Sequence, residues 1–497
     1  SESKAQIAAP AAIEYSGLNI SPDGNQLYYI NEKGALLQMP VLGGAVKKIT
    51  DGLFVRNIAN GIGVSPDGKQ IAFVRRFEKE VTALFIADAD GRSEYTLATF
   101  EQPFRLYSFP AWSPDGKTIA CPVWIAGKQN ILAVQVADGT SVPILPKGST
   151  FVREIAWLPD SKSLLMIGEK EGDLSLEQPW QISYPGGEVR LISNDTNEYA
   201  GISLKADGSL LTTVRVEQAA HIWTMPADDA RRAQQLTTGF EKFDGVVGLG
   251  WLSDSKVFYG STPSGKSSVW AIRADGSNSI QLVKGSPFSA ASPDGRFVIY
   301  QKGKPETNDI GLYQTDISDG SEKRLTKGID IWATFSPDGK WIVFTRFGER
   351  VGLWKVGVEG GEPTRILDKN AVCPAVSPDG ETIAFILRQG GQPNRIALVS
   401  SDGGERIKTF DAKLEIFPTS DNQKLQWAPD GQGIYFIAFN NGVSNIWRQP
   451  IDGSPPVQVT DFKDGRIFNF AFSPDGSQLA LSRGTFNSDV VLIENAN

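Results

Sequence analysis

The sequence is poor in the residue types on which most catalytic and metal-binding sites depend. Its 497 residues include one histidine, His221, and two cysteines, Cys121 and Cys373. A single histidine excludes a histidine-rich metal site, and any serine–histidine catalytic pair would have to use His221. The motifs G-x-S-x-G and H-E-x-x-H do not occur. The sequence therefore predicts no catalytic residue, no metal site and no cofactor.

The contexts of these three residues favour structural roles. His221 begins the segment HIWTMP, and Asn445 begins the similar segment NIWRQP, so His221 is interpreted as a polar residue at the start of a strand. Cys121 and Cys373 each precede a proline within an apolar, strand-like segment. We therefore expect both thiols to be buried and inert.

A basic surface and a long apolar run are also missing. The 49 basic and 57 acidic residues give a net charge of −8, which argues against nucleic-acid binding because phosphate neutralisation requires a basic face. No run is apolar over the length of a membrane span, so we expect no membrane insertion of this segment. The opening SESKAQIAAP lacks the basic and apolar parts of a secretion signal, and any signal or anchor is expected to have been removed or to lie outside this segment.

What the sequence has in abundance is the short turn-forming motif SPDG, together with degenerate copies of it. This four-residue motif is called the word below. Pro presets φ for a turn, Asp bonds to nearby backbone N–H groups, and Gly closes the turn. Eleven copies follow one another at spacings of 40 to 51 residues, a period typical of a β-propeller blade. The aspartates of the word are interpreted as turn residues rather than calcium ligands; they are Asp23, Asp67, Asp115, Asp160, Asp207, Asp254, Asp294, Asp338, Asp379, Asp430 and Asp475.

Each repeat is predicted to form four antiparallel strands, because a second Asp-Gly or Gly-Gly turn alternates with the word. The predicted fold class is thus all-β, a continuous array over residues 1–497 of about eleven propeller blades, with a helical turn near Asp228–Arg232. The segment KAQIAA is expected to complete the last blade, as the fourth strand after QLALSR and DVVLIE. Two adjacent rings of about five and six blades, dividing around residues 200–250, are favoured over one large ring, which stays an alternative.

The repeat, with SPDG, an aromatic third strand and a closing Leu-Thr, resembles the propeller repeat of the TolB family, also called PD40. This resemblance covers nearly the whole chain and implies the fold, whereas such repeats serve binding proteins, receptors and peptidase accessory domains alike. NGVSNIWRQPIDGSPPVQVTDFKDGRIFNFAFSPDG and AQIAAPAAIEYSGLNISPDG are also similar to parts of the propeller of acidobacterial-type receptor serine/threonine kinases. That second resemblance implies an extracytoplasmic or periplasmic sensor segment. Kinase activity is not implied, because the chain has no kinase Gly-rich loop, HRD or DFG.

The segments just before each word depart from the repeat and hold arginines and aromatic residues, which are enriched at interfaces. Neighbouring arginines on one rim would also attract an anion to a protein of negative net charge. We therefore predict a binding face, with ordinary loop packing as the alternative. Its candidate residues are Arg56, Phe104, Arg105, Tyr107, Arg153, Trp332, Phe417 and Arg466.

The expected function is non-catalytic recognition of a protein, peptide or glycan at this loop-rich face. The chain would serve as the extracytoplasmic part of a bacterial receptor kinase or as a TolB-like envelope protein. The alternative is a propeller enzyme, or a substrate-gating domain associated with a hydrolase or peptidase.

Overall fold

The structure is a computed structural model, and it confirms the all-β fold class. The residues that it describes are 16–31, 34–53, 61–77, 81–107, 109–125, 128–145, 151–169, 177–193, 195, 197–205, 207–239, 243–246, 248–252, 255–261, 268–284, 288–304, 309–347, 351–368, 370–388, 394–404, 408–414, 424–440 and 442–494. Within these ranges the chain forms forty-two β-strands and a 3₁₀ turn, Ala230–Arg232, at the place where a helical turn is predicted.

The chain divides into two compact units. Unit 1 comprises Ser1–Val216 and Ser488–Asn497, and unit 2 comprises Glu217–Asn487. The boundary after Val216 falls within the stretch 200–250, where the repeated word is most degraded.

Unit 1 holds four complete antiparallel sheets, β1–β4, β5–β8, β9–β13 and β14–β17, in which strands consecutive in the chain are neighbours. In the third sheet β9 and β10 both pair with β11, as two parts of one interrupted inner strand. The strands are β1 (Ser16–Ile20), β2 (Gln26–Ile30), β3 (Leu36–Pro40), β4 (Lys47–Thr50), β5 (Gly63–Val64), β6 (Gln70–Arg76), β7 (Thr82–Asp88), β8 (Tyr95–Phe100), β9 (Phe104–Leu106), β10 (Ala111–Trp112), β11 (Thr118–Ile125), β12 (Lys128–Gln135), β13 (Ser141–Pro143), β14 (Phe151–Trp157), β15 (Ser163–Glu169), β16 (Gln178–Ser183) and β17 (Val189–Leu191).

Unit 2 holds five complete four-stranded antiparallel sheets, β21–β24, β25–β28, β29–β32, β33–β36 and β37–β40. A further sheet has the order β18, β19, β42, β41, with β20 paired to β19, and of its residues β18, the start of β19 and the end of β42 belong to unit 1. The strands are β18 (Glu198–Leu204), β19 (Leu210–Pro226), β20 (Gln234–Gln235), β21 (Leu249–Trp251), β22 (Lys256–Ser261), β23 (Ser268–Arg273), β24 (Ile280–Lys284), β25 (Phe288–Ala291), β26 (Phe297–Lys304), β27 (Asp309–Asp316), β28 (Glu322–Arg324), β29 (Ile329–Phe335), β30 (Trp341–Phe347), β31 (Gly352–Gly357), β32 (Thr364–Leu367), β33 (Ala371–Val376), β34 (Thr382–Leu387), β35 (Asn394–Ser400), β36 (Lys408–Leu414), β37 (Gln426–Trp427), β38 (Gly433–Asn440), β39 (Val443–Pro450), β40 (Val457–Gln458), β41 (Arg466–Phe472) and β42 (Gln478–Glu494).

The two longest strands, β19 and β42, differ from the sequence prediction, which breaks each of them into two. Each runs for 17 residues, and the boundaries of the units fall inside them. The first half of β19 pairs with β18 in unit 1, whereas in unit 2 its second half pairs with β20 and the first half of β42 pairs with β41. The segment VRVEQAA in β19 contains no Gly, Pro, Asn or Asp, so nothing in it supplies the turn of a hairpin.

This arrangement changes the expected closure of the last repeat. Its word lies between β41 and β42, and the unit 2 part of this sheet already has four strands, β41, β42, β19 and β20. QLALSR and DVVLIE are therefore parts of one strand, β42, rather than the second and third strands of one blade. KAQIAA lies outside the described residues, and any pairing it makes stays a prediction.

The repeated word forms one hydrogen-bonded turn wherever it is intact. In the copy that begins at Ser113, the serine hydroxyl donates to Asp115 at 2.6 Å and accepts from the backbone N–H of Thr118 at 2.9 Å. The N–H of Gly116, with φ +73°, donates to the Ser113 carbonyl oxygen. The serine hydroxyl and then the Lys117 N–H lower the pKa of Asp115. The aspartate thus organises the backbone of the turn.

Three of the tryptophans that precede the word donate hydrogen bonds to a neighbouring sheet. Trp157 Nε1 donates to the carbonyl oxygen of Ala111 on β10 at 3.0 Å, and Trp427 Nε1 donates to that of Ala375 on β33 at 3.0 Å. Trp251, in the first complete sheet of unit 2, donates at 2.9 Å to Ala471 on β41. This last bond joins the first and the last sheets of unit 2.

A candidate ligand-binding cavity

The predicted site residues fall into three groups. Phe104, Arg105, Tyr107 and Arg153 belong to unit 1, and Trp332 and Arg466 belong to unit 2. Arg56 and Phe417 lie outside the described residues. Whether any of these residues binds a ligand stays a prediction.

In unit 1 the structure places Tyr107 beside β14, the strand that carries Arg153. Phe104 and Arg105 lie on β9, opposite Ile125 and Trp124 of β11. The Tyr107 hydroxyl contacts the side-chain oxygen of Gln129 and lies 3.1 Å from the Val152 carbonyl oxygen. Burial raises the pKa of Tyr107 well above its ordinary value. Its hydroxyl is thus a neutral hydrogen-bonding group inside the unit.

The surroundings of Arg153 are acidic rather than basic. Its guanidinium forms a two-point ion pair with Glu177, in which Nη2 lies 2.5 Å from Oε1. Burial raises the pKa of Glu154, Glu169 and Glu198, and the charge of Glu177 raises the last two further. For Glu198 the pKa is about 7. Four carboxyl groups around one guanidinium leave no excess positive charge there for an anionic ligand.

In unit 2 the predicted residue Trp332 lines a cavity of about 720 Å³. The wall comes from the inner strands of six sheets, β21, β25, β29, β33, β37 and β41. The cavity reaches from the start of these strands to the prolines of the words, Pro378, Pro429 and Pro474. Arg466 is not among the lining residues; it stacks between Phe439 and Phe486, with its guanidinium carbon 4.9 and 4.6 Å from the ring centres.

Six aromatic side chains line this cavity. They come from four of the six inner strands and from β22, and ligand pockets are typically lined in this way. The aromatic lining residues are Trp251, Phe258, Trp332, Phe335, Trp427 and Phe472.

Two lining residues adopt the left-handed backbone conformation, which is unfavourable for residues other than glycine. Trp332 has φ +53° and Cys373 has φ +55°, each inside a β-bulge of an inner strand. Gly17 and Gly201 hold the same position in two repeats of unit 1, with φ +67° and +76°. A non-glycine residue there costs about 1–2 kcal/mol, and such strain concentrates at functional sites.

The position of Trp332, four residues before the word, lines the cavity in most repeats of unit 2. We call it the variable position, because its residues differ in chemistry from repeat to repeat. In unit 2 the lining residues at this position are Gly248, Trp332, Cys373, Lys424 and Asn469.

Sequence reasoning found Trp332 but missed Lys424, although both stand at the variable position. Lys424 is half-buried, and its ammonium donates to the Leu249 carbonyl oxygen at 2.7 Å. Burial lowers the pKa of Lys424 to about 8. The signal that could have found it was a charged residue where the other unit 2 repeats have neutral ones.

The residues considered for catalysis have structural surroundings. His221 lies inside β19 rather than at the start of a strand. Cys121 and Cys373 are buried, as expected, and burial raises the pKa of Cys121. Among the described residues, no three His, Cys, Asp or Glu side chains are grouped so that they could hold a metal ion. The same residues include no helix with the length and apolar character of a membrane span.

Comparison with known proteins agrees with this architecture. Residues 61–288 match the family model PD40, described as the TolB beta propeller domain. These residues are thus similar to the TolB propeller repeat. This chain is 29% identical over 191 residues to an uncharacterized protein of Agrobacterium fabrum. The match covers 35% of this chain and 63% of that protein.

Two further proteins resemble the TolB-type repeat more distantly. Dipeptidyl-peptidase 5 of Porphyromonas gingivalis is 24% identical over 256 residues, covering 49% of this chain and 34% of the peptidase. The crystal structure of TolB from Acinetobacter baumannii is 13% identical, with a TM-score of 0.35, and covers 78% of this chain and 82% of that one. This chain thus covers less than two thirds of the length of the Agrobacterium protein and of the peptidase.

Proposed function

We propose that this chain is a non-catalytic recognition propeller whose ligand binds in the cavity of unit 2. The observation that carries the proposal is the cavity itself, of about 720 Å³, with a wall shared by the inner strands of six sheets. Its volume is that of a site for a small molecule or a few residues of a peptide. The strained backbone at Trp332 and Cys373, both in its wall, supports a functional role for the same surface.

The proposal includes a closed ring of six blades in unit 2 and a ring of five in unit 1. For unit 2, the support is the hydrogen bond from Trp251 to Ala471, which joins the first and last sheets. For unit 1, the support is its four complete sheets together with the halves of β19 and β42 beside β18. In this arrangement β19 and β42 each contribute one half to a blade of the unit 1 ring and the other half to a blade of the unit 2 ring.

The biological setting that we propose is extracytoplasmic. The TolB-type repeat and the resemblance to receptor-kinase propellers favour an envelope protein or the sensor segment of a receptor, with a protein, peptide or glycan as natural partner. A partner of that size would insert one end, such as a side chain or a chain terminus, into the cavity.

The test uses N-phenyl-1-naphthylamine, a neutral probe whose fluorescence rises in apolar sites. Thr334 lines the cavity on β29, and Thr334→Trp should fill part of it and reduce probe binding at least about tenfold, a loss of about 1.4 kcal/mol. The matched control is Thr364→Trp, which places the same side chain at an exposed site on β32 of the same sheet. Equal probe affinity in the wild type and in Thr334→Trp would overturn the cavity as the binding site.

A second candidate function is a propeller that belongs to a peptidase. The observation that favours it is the similarity to dipeptidyl-peptidase 5 over about half of this chain. Purified chain should release no p-nitroaniline from a panel of dipeptidyl p-nitroanilides if recognition is its own activity. Release that persists through repeated purification and disappears in His221→Ala would instead support catalysis.

A further inference from the structure

Lys424 is the one charged side chain among the described residues that line the unit 2 cavity. The remaining polar lining side chains are neutral amides, hydroxyls and a thiol. A cation beside aromatic and aliphatic groups is unfavourable unless an anion or several hydrogen-bond acceptors compensate it. The charge of Lys424 therefore requires an explanation.

The protein supplies only part of that compensation. The ammonium group has three donors, and it reaches the Leu249 carbonyl oxygen at 2.7 Å. Within the part of the chain that the structure describes, no carboxylate forms an ion pair with Lys424. Although burial lowers its pKa, a value of about 8 leaves the ammonium predominantly charged at neutral pH.

A second donor group lies beside Lys424 in the cavity wall. Gln426 is two residues further along the chain, at the start of β37, and both residues line the cavity. The Gln426 oxygen accepts the backbone N–H of Phe472 at 3.0 Å. This bond fixes the orientation of the amide, so its NH₂ group is available to the cavity.

The other amides of the wall are used within the protein. Asn469 donates to the Gly245 carbonyl oxygen at 3.1 Å and accepts the N–H of Phe470 at 2.8 Å. Gln301 donates to the Asp330 carbonyl oxygen at 3.2 Å. Among the ammonium and amide groups of the wall, Lys424 and Gln426 thus keep the most donors for a ligand.

We propose that Lys424 and the amide of Gln426 bind an anionic group, such as a terminal carboxylate, on the part of the ligand that enters the cavity, and that the apolar body of this part lies against the aromatic wall. The inference rests on the proposed function and adds the ligand's chemistry to it. A single carboxylate or sulfonate matches one ammonium and one amide donor. A flat apolar body matches Trp251, Trp332 and Trp427, which line the same cavity.

Two probes that share their aromatic body separate the anionic group from the cavity. N-phenyl-1-naphthylamine is neutral, and 1-anilinonaphthalene-8-sulfonate carries one negative charge on the same skeleton. In Lys424→Met the affinity for the sulfonate should fall at least about tenfold, equal to about 1.4 kcal/mol, while the affinity for the neutral probe changes less than about twofold. Lys463→Met, which removes an exposed lysine of unit 2, is the matched control and should alter neither affinity.

Gln426→Glu provides a second variant that does not depend on deleting Lys424. The glutamate can still accept the Phe472 N–H, but it places a negative charge beside the ammonium and competes with the ligand. We expect it to weaken the sulfonate at least about tenfold and to leave the neutral probe in place.

The outcomes distinguish this inference from the proposed function. If the neutral probe binds and is lost in Thr334→Trp, but Lys424→Met and Gln426→Glu change both probes equally or not at all, the anionic-group inference is overturned and the cavity remains. If neither probe responds to Thr334→Trp, the proposed function itself is overturned.

Discussion

Glu198, at the start of β18, is a carboxyl group whose ionisation should destabilise unit 1. The side chain is half-buried, and burial together with the charge of Glu177 raises its pKa from 4.5 to about 7. Arg153 acts in the opposite direction, but its guanidinium is engaged by Glu177. In the folded chain the carboxyl is therefore protonated below about pH 7, whereas in the unfolded chain it ionises near its ordinary value.

The sign and size of the effect follow from these two pKa values. The folded state binds the proton more tightly, so the stabilisation is greatest at low pH and is lost as the pH rises from about 4.5 to about 7. At 1.36 kcal/mol per pKa unit, the full loss is about 3 kcal/mol. Glu198→Gln imitates the neutral carboxyl and should be more stable than the wild type by about 3 kcal/mol at pH 8.5. This advantage should shrink by about 2 kcal/mol at pH 5.5.

The assay must follow unit 1 by itself, because a chain of two units need not unfold in one step. Hydrogen exchange of peptides from β14, β15 and β18, corrected for the intrinsic rate at each pH, gives the local free energy of opening. Glu188→Gln, at an exposed site between β16 and β17, is the matched control, and subtracting it cancels the other titrating groups. An advantage of Glu198→Gln that is equal at the two pH values would refute the reasoning.

Three further substitutions test other parts of the structure. Gly484→Ala should destabilise unit 2 by about 3 kcal/mol in urea unfolding, because its Cβ would lie 1.7 Å from a carbonyl oxygen of β19, whereas Gly357→Ala has room and should be near neutral. Asp330→Ala should lower the free energy of unfolding by about 3–5 kcal/mol, since Asp330 is fully buried and its two oxygens lie 2.7 Å from nitrogens of Arg346. A double-mutant cycle with Arg346→Met that shows less than about 1 kcal/mol of coupling would contradict this. Lys424→Met should raise the free energy of unfolding by about 3 kcal/mol at pH 7, because the cost of charging the buried lysine is present below pH 8 and disappears as the pH rises toward 10.5. A gain that persists unchanged at pH 10.5 would count against it.

The fold could be predicted because its turns depend on residues that are close together in the sequence. The word at Ser113 shows this, since the serine, aspartate and glycine each make the hydrogen bond or adopt the φ that a tight turn requires. The continuity of β19 and β42 could not be predicted in the same way. QLALSR and DVVLIE each look like one strand of a blade, and the segment between them contains Gly and Asn, which ordinarily indicate a turn. Gly484 instead permits the close approach of Ala219, a contact distant in sequence.

The candidate site was only partly predictable for a related reason. Arginines and aromatics before the word were selected by residue type, and residue type does not reveal whether a charge is already paired. Arg153 is paired with Glu177, and Arg466 stacks between two phenylalanines. Trp332 was found because it is aromatic, whereas Lys424 occurs in a segment that is otherwise ordinary. Comparison of the variable position between repeats would have indicated both.

The cavity of unit 2 concentrates features that each lower stability. Trp332 and Cys373 hold a left-handed backbone conformation that Gly17 and Gly201 adopt more easily in unit 1. Lys424 holds a charge in an apolar wall without a carboxylate partner among the described residues. A fold optimised for stability alone would place glycine at the first two positions and a neutral residue at the third. All three deviations meet at one cavity, and the binding of a ligand that we propose there would explain them together.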